Sequence, residues 1–211
     1  MNIRRIQNVT KSLSLCLMLL VLVSATVFDA SAQGGASGRK LTIQSNDGGS
    51  AVTELGYNIA VNKGSTLHRR WYVINDLSCP VSLGVVGIKP VYRGEQYTFT
   101  PVGDLMPSVA LSAVQVIFVQ FDIWGNRERS LSANEIKDLP VGQTFNIVGG
   151  WYASENDVSE QLTSVAYVRN AMTSDGKIWR ADLDKIVALL QTVALKVSAS
   201  GLESEPRKEP K

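Results

Sequence analysis

Ala113-Val114-Gln115-Val116-Ile117-Phe118-Val119-Gln120-Phe121-Asp122-Ile123 decides the fold class. Val114, Val116 and Phe118 share one parity, and Ile117, Val119, Phe121 and Ile123 share the other. Side chains alternate across a strand, so apolar residues on both parities predict a strand covered on both faces for part of its length.

Shorter runs of the same kind flank it on both sides. Trp71-Tyr72-Val73-Ile74 ends at Asn75-Asp76, and Val81 to Ile88 reads as a strand bracketed by Pro80 and Pro90. Tyr97-Thr98-Phe99-Thr100 alternates, Phe145, Ile147 and Trp151 share a parity, and so do Val165 and Tyr167. Ser174-Asp175-Gly176 predicts a hairpin turn into Ile178-Trp179. Residues 41–66 predict one or two strands around the turn-forming Asn46-Asp47-Gly48-Gly49. Many short strands, with turn signals roughly every 10 residues, predict an all-β antiparallel β-sandwich; a small barrel fits the same spacing.

The period changes near residue 182. Leu183, Ile186, Val187, Leu190, Val193, Ala194 and Val197 follow the spacing of one helix face, with Asp182 as N-cap. This predicts one C-terminal amphipathic helix, Asp182 to Val197, packed on the sandwich. Ser198 to Lys211 holds Gly201, two prolines and a high density of charge, which predicts a disordered tail.

Phe118-Val119-Gln120-Phe121-Asp122-Ile123-Trp124-Gly125, followed about 20 residues later by Leu139-Pro140-Val141-Gly142-Gln143-Thr144-Phe145, resembles the FxLYD family signature. That signature is a Phe-x-Leu-Tyr-Asp strand entering a glycine turn, then a Leu-x-x-Gly step into the next strand. Val73-Ile74-Asn75 with Pro80-Val81 is similar to its opening element. The resemblance covers residues 71–148, with Gln120 in place of Leu and an insertion of about 20 residues between Ile88 and Ala113. It implies an immunoglobulin-like sandwich in an exported, mostly bacterial and non-enzymatic protein. The motif's roles follow from physics as well. Phe118 faces the core, Asp122 caps the turn through backbone N–H groups, and Gly125 takes a positive φ.

The N-terminus carries an address. Arg4, Arg5 and Lys11 precede the apolar stretch Leu13 to Phe28, and Ala30-Ser31-Ala32 supplies the small residues a signal peptidase cuts after. Leu13 to Phe28 is shorter than the roughly 20 apolar residues that span a bilayer. A cleaved signal peptide over 1–32 is therefore expected, placing the protein in the periplasm or outside the cell with no stable membrane insertion after cleavage. A flexible tether over 33–40 and a domain over 41–197 follow. Removing 32 of the 211 residues leaves 179, and removing Arg4, Arg5, Lys11 and Asp29 from 21 basic and 19 acidic side chains leaves 18 of each. A neutral mature chain has no basic excess with which to bind nucleic acid.

Chemistry-bearing residues are few. Cys79 is the only cysteine and His68 the only histidine beyond the leader, so no zinc site of the usual kind and no internal disulfide is expected. His68 beside Arg69 and Arg70 has no orienting residue in view, and Cys79 reads as an inert, half-buried thiol. Asp104, Asp122, Asp157 and Asp175 lie scattered over turns without the spacing of a calcium loop. No cofactor or metal is expected. Trp124, Arg127 and Arg129 make a loop able to stack on a peptide or sugar. Trp151 and Tyr152 pose the same choice, but Phe145 and Ile147 pull that segment toward the core.

Two function classes emerge. The first is a non-catalytic exported module that binds a protein or glycan of the cell envelope, or builds part of it. The second is a hydrolase or thiol enzyme whose residues converge only in three dimensions. The absence of a nucleophile motif favours the first.

Overall fold

A computed structural model describes residues 41–44, 50–62, 65–94 and 96–203. The leader, the tether, the turn at Asn46 to Gly49 and residues 204–211 lie outside the described residues, as does the side chain of His68. Thirteen described strands follow one another as β1 Leu41–Gln44, β2 Ser50–Asn62, β3 Ser65–Asp76, β4 Val81–Leu83, β5 Gly87–Arg93, β6 Gln96–Val102, β7 Asp104–Pro107, β8 Leu111–Phe121, β9 Arg127–Leu139, β10 Phe145–Asn146, β11 Trp151–Ala153, β12 Thr163–Thr173 and β13 Ile178–Arg180. Three described helices are α1 Glu155–Glu160, α2 Leu183–Thr192 and α3 Ala199–Leu202.

The main sheet runs β1-β2-β3-β12-β8-β9, with β13 paired to β12. Two three-stranded sheets, β10-β7-β4 and β11-β6-β5, complete a mostly β protein. Among the described pairs all are antiparallel except β3 with β12, so the main sheet is mixed. Tyr72 and Ile74 on β3 face Val165 and Tyr167 in that parallel ladder.

β8 is covered on both faces, as its sequence predicts. Val114, Val116 and Phe118 enter a core shared with Val81, Leu83, Ile88, Phe99 and Leu105 of the small sheets. Ile117, Val119 and Phe121 enter a second core with Tyr72, Val165, Tyr167 and the helices. Ile123 falls in the following turn and is exposed. The first core closes tightly where the Trp71 indole lies over Gly87. A methyl added there would come within 2.2 Å of the ring, whose Nε1 donates to the Ile88 carbonyl at 3.1 Å.

Three details correct the sequence reading. Pro90 lies inside β5 rather than ending a strand, tolerated because β5 is the edge of its sheet; the chain breaks instead at residues 84–86, between β4 and β5. The helix capped by Asp182 ends at Thr192, short of Val197. Ala194 takes φ 60°, Ala194 N–H donates to the Gln191 carbonyl and Leu195 N–H to that of Leu190, a Schellman stop with Ala in the left-handed position. Leu189, outside the face that the spacing marks as apolar, is buried with Ile186 and Leu190.

The expected disorder is corrected for residues 198–203; residues 204–211 lie outside the described residues. Ser198 caps α3, and Leu202 is fully buried against Tyr167 and Phe121 in the second core. The Tyr167 hydroxyl donates to the Leu202 carbonyl at 2.5 Å. A charged, proline-bearing composition hides one anchoring leucine, whose burial is favourable by roughly 1.5–3 kcal/mol.

Candidate functional site

The helices cover only part of the face they pack on. Toward the other end of β8 the same face lies open and forms a groove of about 350 Å³. Strand register builds it as two adjacent cross-strand rows. Asn134, Gln115, Asn170 and Arg180 align across β9, β8, β12 and β13, and next to them Ile136, Ala113, Met172 and Ile178 align in the same order.

The first row is a relay of amides. Asn170 Nδ2 donates to Gln115 Oε1 at 2.6 Å, and Gln115 Nε2 donates to Ser132 Oγ at 3.0 Å. These bonds hold the Gln115 side chain in one orientation, and Arg180 brings a cation to the end of the row. In the second row Ala113 is the small residue between larger ones, which makes the depression. Ile136 is 81% exposed and Ile178 55%, an unusual placement for two isoleucines in one cleft. The groove therefore matches a ligand with an aliphatic side, a hydrogen-bonding side and a negative group.

The residues chosen from sequence are separated by the structure. Trp124 is 73% exposed on the turn between β8 and β9. Asp122 Oδ1 accepts from the backbone N–H of Trp124 and of Asn126, each at 2.8 Å, and Oδ2 accepts from Asn126 Nδ2 at 3.0 Å. Burial alone would raise the Asp122 pKa, but these hydrogen bonds outweigh it and lower the value. Gly125 has φ +75° and sits against residue 194, where a Cβ would come within 2.7 Å of the Ala194 carbonyl oxygen.

Arg127 and Arg129 lie on β9 rather than in a loop, and both are engaged within the chain. Arg127 Nε donates to the Gly201 carbonyl at 2.6 Å, and Ser130 Oγ donates to the same oxygen at 2.9 Å. Together they satisfy a carbonyl at the end of α3. Arg129 contacts Asp157 at 3.5 Å, donates to the Tyr152 carbonyl at 3.2 Å and stands 5.4 Å from the centre of the Phe99 ring. Trp151 is half-buried with its ring 5.9 Å from that of Phe118, whereas Tyr152 is exposed.

Cys79 lines a void of about 10 Å³ near the start of α2, and burial pushes its thiol pKa up to about 12. That holds the sulfur protonated at neutral pH, the reverse of what a nucleophile needs. Among the described residues no group of three His, Cys, Asp or Glu side chains is placed to hold a metal ion. No described helix is long and apolar enough to cross a membrane.

Sequence reasoning passed over the groove, although a signal was present. Gln115 breaks the apolar parity that continues through Ile117, Val119 and Phe121, and Ile136 stands alone among Asn134, Glu135, Lys137 and Asp138. Neither oddity means much until register places them side by side.

No family model matches the chain, and no curated protein matches it. Among solved structures, a hypothetical protein from Peptoclostridium difficile 630 is similar over 59% of this chain and 97% of that one, at 9% identity and a TM-score of 0.40. That likeness is too slight to support an argument about fold or function.

Proposed function

We propose that the protein is a non-catalytic, exported binding module of the cell envelope, built on an immunoglobulin-like sandwich, and that its ligand is a protein segment held in the groove between β9 and β13. The observation that carries this reading is the pairing of an amide row ending in Arg180 with an apolar row containing two exposed isoleucines. Aliphatic rather than aromatic walls favour a peptide over a sugar ring. Such a segment would lay an aliphatic side chain over Ala113, hydrogen-bond to the Gln115 and Asn170 amides, and set a carboxylate against Arg180. The signal-peptide pattern of residues 1–32 supports export, and the FxLYD-like motif supports a non-enzymatic module. The protonated Cys79 thiol weighs against a thiol enzyme.

The test is retention of envelope proteins on immobilised protein. A partner held by the unaltered chain and by Trp124→Ala, but lost by Ile136→Lys/Ile178→Lys with its fold intact, supports the groove. Retention by the isoleucine variant and loss by Trp124→Ala would move the site to the turn. Turnover of an ester, peptide or glycan that disappears with Cys79→Ala would replace the reading with an enzyme.

A further inference from the structure

The opposite face of the main sheet holds a charge that nothing described balances. Arg69 on β3 is 3% exposed. Its Nη1 donates to Gln161 Oε1 at 3.1 Å and its Nη2 to the Val158 carbonyl, both neutral acceptors on or just after α1. Among the described residues no carboxylate is ion-paired with it. Of the three acids on α1, Glu155 and Glu160 are exposed, and Asp157 is taken by Arg129 at 3.5 Å and by the backbone N–H of Ser154 at 2.7 Å.

Among the described residues, three buried polar atoms of this region lack partners: Arg69 Nε, Gln120 Nε2 and Ser164 Oγ. Register gathers their residues. Gln120 on β8 is directly opposite Ser164 on β12, Ser164 is aligned with Trp71 on β3, and Arg69 precedes Trp71 by two residues on the same face. The opposed Cβ atoms of Gln120 and Ser164, across an antiparallel pair, lie about 5 Å apart, and Arg69 is one strand further on, with a long side chain on the same face. Gln120 is also the second polar residue inside an otherwise apolar run; it is buried, and its Nε2 lacks the kind of acceptor that Ser132 provides to Gln115.

A guanidinium keeps its charge at every relevant pH, and a buried unpaired charge is among the most costly features a fold can carry. Two of the three orphans are donors only, and the third is a hydroxyl that can donate. Water would satisfy the hydrogen bonds but leave the charge uncompensated. The geometry points to a buried site for a small anion of halide size, held by Arg69 Nε–H, Gln120 Nε2–H and Ser164 Oγ–H beneath α1. The same guanidinium grips α1 through its other two nitrogens, so the bound anion stabilises the docking of that helix on the sheet.

Chloride is the probe. The full chain is melted in sodium chloride and in sodium gluconate at one ionic strength, gluconate being too bulky for the site. The expected result is a saturable rise in Tm with chloride, roughly 5–10 °C at about 100 times its Kd. Arg69→Met should abolish the chloride dependence. If that variant does not fold, Gln120→Leu and Ser164→Ala should each weaken chloride affinity roughly tenfold. Crystals grown in bromide should show an anomalous peak within hydrogen-bonding reach of Arg69 Nε. A Tm indifferent to chloride, unchanged chloride affinity in Gln120→Leu and Ser164→Ala, or a bromide map with no peak there would overturn the proposal. None of these outcomes depends on the groove's ligand.

Discussion

On the face of the main sheet that carries the helices, two stretches of the same strands differ sharply. From residue 117 to 121, β8 presents Ile117, Val119 and Phe121, and β12 presents Val165 and Tyr167 beside them; α2 and α3 seal all five from water. From 113 to 115 it presents Ala113 and Gln115, with Asn170 and Met172 alongside, and no described element lies over them. The change of use follows the change of residue. A helix can dock only where its apolar stripe meets apolar strand side chains, because a docked helix over Gln115 and Asn170 would have to satisfy or bury their amides. α2 also stops on its Schellman turn, and the chain then turns back toward Gly125, where Lys196 N–H donates to the Gly125 carbonyl at 2.8 Å.

The sealed half should be the more sensitive of the two to substitution. Ile186→Asp places a carboxylate against the second core and should cost more than about 4 kcal/mol, with lost helicity by circular dichroism and a much lower Tm. An unchanged melt would mean that the helices are not what seals this half. Tyr167→Phe removes the hydroxyl that donates to the Leu202 carbonyl, and urea unfolding should show a loss of about 1–3 kcal/mol as that buried acceptor loses its partner.

A smaller effect should appear at the seam beside α2. The folded pKa of Cys79 is raised from its ordinary value of 9.0 to about 12, so the folded chain binds the proton more tightly than the unfolded one. The associated stability is complete below pH 9 and falls as pH rises from 9 toward 12. Removing the thiol with Cys79→Ala should flatten that decline. Alkylation at pH 8 should proceed at least about tenfold more slowly in the folded chain than in urea.

The open half should respond the other way. Ile136→Lys and Ile178→Lys should each alter stability by no more than about 0.5 kcal/mol while lowering partner retention. Trp124→Ala should shift Tm least of all and leave retention intact, because its indole stands clear on a turn fixed by Asp122. Losses of several kcal/mol from the groove variants would show that the open half carries structural weight.

Much of the architecture was legible from local chemistry. Alternation on both parities marks β8 as doubly covered, Asp122 and Gly125 specify the turn after it, Ser174-Asp175-Gly176 specifies the last hairpin, and Asp182 caps the helix that follows. Each is an interaction among residues close in the chain, and the residues themselves set its strength. The parallel β3–β12 ladder, the burial of Leu202, the commitment of Arg127 and Arg129 to internal contacts, and the rows that form the groove all join residues far apart in sequence. Only the tertiary structure decided these. A side chain's role there depends on which distant strand lies opposite it, and a shift of one residue in register would turn that side chain to the other face.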